Sequence, residues 1–171
     1  MKTKISLILS TFICVLFFAS CGPTKEDAIK YNDKIIHAQR KVVDKENDLL
    51  RYIKSGSLNN ATLDEKYDSL AKQLKESTET VNNAEAFDGK TDFKDATLKF
   101  FSVYKSVVDK EYKDWMNNLK TPEDKVDQKV LDEEKYLVAT INEKLDNAHS
   151  DFKLAQNNFA VKYKFEISKD K

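Results

Sequence analysis

Glycine and proline are scarce in this sequence, with three glycines and two prolines among 171 residues. These two residue types mark most tight turns and end most helices, so their scarcity predicts long helices with few interruptions. Apolar residues recur at intervals of three and four, and no stretch alternates between apolar and polar residues as a half-buried strand does. The sequence therefore predicts an all-α protein.

Cysteine is almost absent as well: Cys14 and Cys21 are the two in the sequence. Both lie near the N-terminus, so the chain beyond Cys21 has no disulfide bond and no cysteine-based metal site. A domain exported without disulfides has to be stabilised by its hydrophobic core. At this length we expect one domain, which can bury roughly 70% of the surface that its unfolded chain exposes.

Residues that carry chemistry are few. His37 and His149 are the two histidines, whereas a metal site needs three or four converging ligands. Hydrolase, phosphate-loop and His-Glu-x-x-His motifs are absent, and so is the Glu-x-x-His of di-iron bundles. We therefore expect two solvated histidines, no catalytic residue, no metal or cofactor, and no enzymatic activity. The formal net charge is zero and no basic patch stands out, which argues against a nucleic-acid partner.

The N-terminal segment has the pattern of a secretory signal. Lys2 and Lys4 precede Ile5–Phe18, which is apolar except for two serines and a threonine, as in the n-region and h-region of a signal peptide. This run is shorter than the roughly 20 residues that a membrane-spanning helix needs. Residues 1–20 are therefore predicted to be a signal peptide that is removed, with a membrane-spanning helix as the alternative.

The signal ends at Phe18-Ala19-Ser20-Cys21. This stretch resembles the lipobox of bacterial lipoproteins, usually Leu-Ala-Gly/Ser-Cys, with Phe18 where leucine is usual. The resemblance implies that Cys21 is the lipid-attachment residue, diacylated through its thiol and acylated on its amine by fatty acids such as palmitate. Each buried CH₂ contributes about 0.8 kcal/mol, so several chains hold a protein firmly in a bilayer. A cut by an ordinary signal peptidase remains the alternative.

Residues 21–27 are predicted to be the lipidated cysteine and a short tether. Within them, Lys25-Glu26-Asp27 resembles the export signal of surface-exposed lipoproteins in one large Gram-negative group, which implies the outer membrane and the cell surface. The alternative is that Thr24 caps a helix whose first turn holds the two acids, and that the protein faces the periplasm. Both positions remain open.

Four stretches follow the tether in which apolar residues recur at helical spacing, so that each would form an apolar stripe along one helix. A capping box of Thr62 and Glu65 predicts the start of the second helix, and Thr121-Pro122 predicts the start of the fourth. The fourth stripe is longer than the others, and no proline or glycine marks a bend near Asp132-Glu133-Glu134, so we expect a continuous, curved helix. The predicted helices are Lys25–Ile53, Thr62–Phe87, Asp92–Leu119 and Pro122–Tyr163.

Short loops between these helices predict an antiparallel up-down-up-down four-helix bundle with a long fourth helix. The bundle domain should span residues 28–167, with residues 168–171 as a frayed tail. The third helix carries the richest stripe and should be the most buried. Its aromatic residues are expected to form core, the alternative being the lining of an apolar ligand cavity. They are Phe100, Phe101, Tyr104, Tyr112 and Trp115.

Three features taken together resemble a known group. They are the lipobox, Asp88-Gly89 before an aromatic helix, and the closing segment Asn157–Ile167. The sequence is similar to a family of small, uncharacterised helical surface lipoproteins of Gram-negative bacteria, and the similarity covers nearly the whole chain. The resemblance implies a helical fold at a membrane surface, and the family has no established activity to carry over.

The function expected from the sequence is that of a membrane-anchored helical lipoprotein with a non-catalytic binding or structural role. Its expected partner is membrane lipid, through acylated Cys21, and the sequence does not identify a protein partner. A carrier of an apolar ligand or metal in the bundle core is one alternative. A chaperone-like envelope-stress protein is another, for which the polar middle of the second helix, Glu76–Thr80, is the hint.

Overall fold

The computed structural model describes residues 22–167, and these residues are helical without a β-strand. The third segment, Asp92–Leu119, is continuous because the backbone stays helical through a π-helical turn at Val108–Tyr112. The described chain therefore has four long helical segments, which confirms the all-α class. Cys21, the predicted signal peptide and the predicted tail lie outside this range. The elements are α1 (Lys25–Lys54), α2 (Asn60–Asn82), α3 (Asp92–Val107), the π turn (Val108–Tyr112), α4 (Lys113–Leu119), a 3₁₀ turn (Glu123–Lys125) and α5 (Gln128–Lys162).

Helix α1 begins where the sequence predicts. The Thr24 hydroxyl accepts a hydrogen bond from the Asp27 amide at 3.1 Å, and the Asp27 carboxylate accepts one from the Thr24 amide at 3.0 Å. This reciprocal capping box satisfies two amides that a helix start otherwise leaves unpaired. The helix ends one residue later than predicted, at Lys54, where Gly56 takes the left-handed conformation (φ 71°) that favours glycine.

The predicted bounds of the second helix are wrong at both ends. Asn59, not Thr62, is the N-cap, because its side-chain oxygen accepts the Thr62 amide at 3.2 Å and so places Thr62 inside the helix. The helix then stops at Asn82. Phe87 instead begins a tight turn, closed by two backbone hydrogen bonds with Lys90.

The predicted start of the fourth helix is also wrong. Pro122 precedes only the short 3₁₀ turn, and α5 begins at Gln128, where Asp127 accepts the Val130 amide at 3.0 Å. An aspartate in extended conformation is the stronger cap here because it supplies the side-chain acceptor that the first turn needs. From there α5 is continuous to Lys162, which confirms that the helix does not break at Asp132-Glu133-Glu134.

The first turns of α5 are mostly exposed. Val126, just before the helix, is 40% exposed and Tyr136 is 69% exposed, and the first buried residue of the helix is Leu137. The predicted stripe therefore contributes to the core only from Leu137 onward. Before that point, Leu131 and Glu134 line a shallow groove with Trp115 of α4.

The core follows the third helical segment. Its predicted aromatic residues are buried: Phe100, Phe101, Tyr104 and Tyr112 are at most 2% exposed and Trp115 is 9% exposed. Around these aromatic residues, α3 packs mainly against α5 and α2, and α1 packs mainly against α2. None of the helices within residues 22–167 is both long enough and apolar enough to cross a membrane.

Candidate functional site

The described chain begins one residue after Cys21, the predicted lipid-attachment residue. From Gly22 to Asp27 no side chain is buried, and Ala28 is the first residue of the core. Of the predicted tether, residues 21–27, the structure describes residues 22–27, and Lys25–Asp27 form the first turn of α1. A group attached at the start of this tether would lie only a few residues from the beginning of α1.

A buried polar network lies in the middle of the molecule. The two carboxylate oxygens of Glu46, on α1, accept hydrogen bonds from the hydroxyls of Tyr104 and Tyr112, each at 2.7 Å. The hydroxyl of Tyr104 also lies 3.0 Å from Nε2 of His149, on α5. Glu46 is 8% exposed and both tyrosines are fully buried. The carboxylate thus joins α1 to the third helical segment, and the Tyr104 hydroxyl joins that segment to α5.

The proton positions in this network follow from the donors available. Tyr104 has one hydroxyl proton, which it donates to Glu46. Nε2 of His149 must therefore be the protonated ring nitrogen and donate to the Tyr104 oxygen, which leaves a lone pair on Nδ1 of the neutral ring. Burial, and next the charge of Glu46, raise the pKa of both tyrosine hydroxyls. Both hydroxyls accordingly stay protonated at physiological pH, where they serve as donors to Glu46.

A second buried acid lies in the π turn. Glu111 is 3% exposed, and its Oε1 accepts a hydrogen bond from Nζ of Lys144, on α5, at 2.9 Å. Its other oxygen, Oε2, is buried with no hydrogen-bond partner among the described residues. A π turn inserts an extra residue into a helix and re-aims the side chains next to it. Here one of those side chains is a carboxylate turned toward α5.

The two histidines line the same groove, between α1 and α5. The groove has a volume of about 920 Å³, and its walls include Ile36, Arg40 and Phe152. His37 is exposed, as expected, whereas His149 is half-buried and bonded to Tyr104. The expectation of two solvated histidines is therefore wrong for His149, because the hydroxyl of Tyr104 reaches it from the core. Within residues 22–167, no group of three metal-ligating side chains converges here or elsewhere.

The burial of His149 makes stability depend on pH. Burial, helped by the charge of Lys153, lowers the pKa of this imidazole, while the nearby carboxylates of Glu46 and Asp146 oppose the shift. Because the unfolded chain then binds the proton more tightly, this contribution to stability is complete above the unfolded pKa of about 6.5 and is lost as the pH falls below it. We expect the urea midpoint to fall between pH 7.5 and pH 5.5 by more in the wild type than in His149→Gln. His37→Gln is the matched control and should keep the wild-type difference, and an unchanged difference in His149→Gln would contradict the argument.

Both buried acids pair with side chains from another helical segment. Both oxygens of Glu46 are occupied by tyrosine donors, and Lys144 neutralises Glu111. Buried polar groups that satisfy one another serve best to fix how helices meet. Neither acid could be singled out from the sequence, because a third of the chain is charged and most such residues are solvated. One signal was present: Glu46 falls on the α1 stripe, between Val42 and Leu49.

Comparisons with known proteins found no match: no family model, no curated protein and no solved structure is significantly similar to this chain. The resemblance to helical surface lipoproteins therefore stays a prediction from the sequence.

Proposed function

We propose that this chain is a lipoprotein, held at the outer membrane by acylated Cys21, whose helices form an antiparallel up-down-up-down four-helix bundle. Its role is to bind or to support other components, without catalysis. The proposal joins the signal and lipobox pattern of residues 1–21 to the arrangement of the described helices.

Contacts near both ends of neighbouring helices support the antiparallel order. Between α2 and the third segment, Lys94 donates to the carbonyl of Asn82 at 2.7 Å, while Tyr67 donates to the carbonyl of Val108 at 3.0 Å. Residue numbers thus rise along one helix as they fall along the other. The third segment and α5 are related in the same way, since the rings of Phe93 and Phe159 lie 5.1 Å apart and Glu111 pairs with Lys144.

The single observation that carries the proposal is the meeting of the two chain ends. Tyr31, near the start of α1, has its ring 5.6 Å from that of Phe159, near the end of α5. An anchor at residue 21 therefore puts the first turns of α1 and the last turns of α5 at the membrane. The loops at residues 55–59 and 120–127 then lie at the far end, where a partner would meet them first.

The non-catalytic role is supported by the chemistry of the interior. The tyrosines of the buried network are held protonated and donate to the two oxygens of the Glu46 carboxylate. A general base has to lie within reach of a substrate proton, whereas Glu46 is only 8% exposed and is enclosed by these donors. The aromatic residues proposed as an alternative cavity lining are packed as core.

Acylation is tested by growing host cells with radiolabelled palmitate. The wild-type protein should incorporate label and Cys21→Ala should incorporate none, because the thiol and the new N-terminus both belong to residue 21. Cys14→Ala is the matched control, since it changes the other cysteine but leaves the lipobox intact, and it should be labelled fully. An unlabelled wild type, or equal labelling of Cys21→Ala, would refute the anchor.

The side of the membrane is tested separately, by adding protease to intact cells. Loss of the protein from intact cells supports the cell surface. Loss only after the outer membrane is permeabilised supports the periplasmic face. The exposed loop at residues 120–127 supplies lysines for trypsin at the end that points away from the anchor.

A further inference from the structure

A small pocket with aromatic walls lies at the end of the molecule where the two chain ends meet. Its volume is about 180 Å³, smaller than the 300–1,000 Å³ that is usual for drug-sized ligands. Ring centroids of neighbouring wall residues lie 4.8–5.6 Å apart. The five rings belong to Tyr31, Phe87, Phe93, Phe159 and Tyr163.

The wall is held in place by a turn between α2 and α3. Asp88 and Gly89 both have positive φ, at 54° and 66°, and backbone hydrogen bonds between Phe87 and Lys90 close the turn on either side of them. This is the geometry of a type I′ turn, which is rigid and of a defined hand. The hydroxyl of Tyr163 donates to the Asp88 carboxylate at 3.2 Å. This hydrogen bond ties the loop before α3 to the C-terminal end of α5 beside the pocket.

Charges of both signs line the pocket beside the rings. Lys90 and Lys162 supply two ammonium groups, and Asp92 supplies a carboxylate. Nζ of Lys162 lies 4.9 Å from the centre of the Tyr163 ring, so one aromatic ring of the wall already contacts an ammonium group. Aromatic faces attract ammonium ions through the ring quadrupole, and cages of such rings recognise quaternary ammonium ligands.

We propose that this pocket binds a phosphorylated amine head group, phosphocholine or phosphoethanolamine. The amine lies against the aromatic rings with Asp92 as its counter-charge, and the phosphate lies between Lys90 and Lys162. A cation without a phosphate would be repelled by both lysines. A phosphate without an amine would make no favourable contact with the aromatic rings. The pocket has room for a head group but not for an acyl chain.

The position of the pocket indicates which molecules supply the head group that it binds. This step rests on the proposed function, because acylated Cys21 would put the start of α1 and the end of α5 at the bilayer surface. Lipid head groups are then the nearest ligands of this chemistry. A free phosphorylated amine has the same chemistry, so the two sources have to be separated by experiment.

Head-group binding is measured by calorimetric titration of the full chain purified from host membranes in maltoside micelles. Phosphocholine should bind, and choline chloride and inorganic phosphate should each bind at least about tenfold more weakly, as for loss of one charged contact. Lys162→Gln should weaken phosphocholine binding by about the same factor. Lys125→Gln, an exposed lysine at the opposite end, is the matched control and should bind like the wild type.

The rings are tested at Tyr31, whose buried hydroxyl has no hydrogen-bond partner among the described residues. Tyr31→Phe keeps the ring and should bind phosphocholine like the wild type. Tyr31→Leu removes the ring and should bind at least about fivefold more weakly, because the amine loses one aromatic face. Circular dichroism checks that both variants fold. Equal binding by the two, or no binding by the wild type at millimolar phosphocholine, would overturn the proposal.

The source is identified by repeating the titration in vesicles. In phosphatidylcholine vesicles the lipid head should occupy the pocket and block soluble phosphocholine, whereas in phosphatidylglycerol vesicles phosphocholine should still bind. Binding in both vesicle types supports the pocket but assigns it to a free phosphorylated amine. The intact mass of the same sample reports the acyl groups, so failure of the anchor is seen independently of failure of the pocket.

Discussion

Replacing Glu46 by alanine is expected to lower the free energy of unfolding by about 4 kcal/mol. The Tyr112 hydroxyl would lose its acceptor inside the core and the Tyr104 hydroxyl would keep only His149, and a buried donor left unpaired costs about 1–3 kcal/mol. The cavity left by the side chain adds to this loss. Urea unfolding, monitored by circular dichroism, measures the difference in the free energy of unfolding between this variant and the wild type.

Three further variants make this result specific. Asp44→Ala removes an exposed acid from the same helix and should stay within about 0.5 kcal/mol of the wild type. Glu46→Gln keeps the shape and one acceptor oxygen, so it should fall between the wild type and Glu46→Ala. Adding Tyr112→Phe to Glu46→Ala should recover part of the loss, because the hydroxyl that Glu46→Ala leaves without a partner disappears. A Glu46→Ala protein within about 1 kcal/mol of the wild type would show that the network contributes little.

Replacing Lys144 by methionine is expected to cost about 2–3 kcal/mol. Glu111 would keep its buried charge while losing its closest cation, and removing one partner of a buried pair typically costs about 3–5 kcal/mol. The lower figure applies because Lys144 is itself 40% exposed and Lys110 lies 3.8 Å from the same carboxylate oxygen. The free energy of unfolding in urea is again the measurement.

A surface pair between the same two helical segments serves as the control. Lys99 lies 2.9 Å from Asp151, which is 65% exposed, and an exposed pair of this kind contributes about 0–1 kcal/mol. Lys99→Met should therefore be nearly neutral. The double variant Glu111→Leu/Lys144→Met should recover most of the loss, since no buried charge remains. A double variant as unstable as Lys144→Met would contradict this explanation.

The helical class and the core could be predicted because they depend on short-range pattern. Few glycines and prolines predict long helices, and the aromatic stripe of the third helix is buried as its spacing indicates. Helix starts were harder, because several residue types can cap a helix and the choice depends on the backbone before them. Asn59 and Asp127 are the caps, although Thr62 and Thr121 also have suitable chemistry.

The buried network could not be predicted from one sequence. Glu46 and Glu111 resemble the many solvated acids of the chain until the hydroxyls and the ammonium group that approach them from other helices are known. The π turn at Val108–Tyr112 has no proline or glycine to mark it. The aromatic pocket likewise depends on the meeting of α1, α5 and the loop before α3, which no local pattern encodes. Long-range contacts decide all three features.

The account rests most directly on the state of Cys21, and mass spectrometry of the N-terminal tryptic peptide tests it. Protein purified from host membranes should yield the peptide Cys21–Lys25 diacylated through the thiol and acylated on the amine. The same preparation should contain no peptide from residues 1–20. An unmodified Cys21 at the N-terminus, or a chain that still begins at Met1, would contradict the lipoprotein assignment.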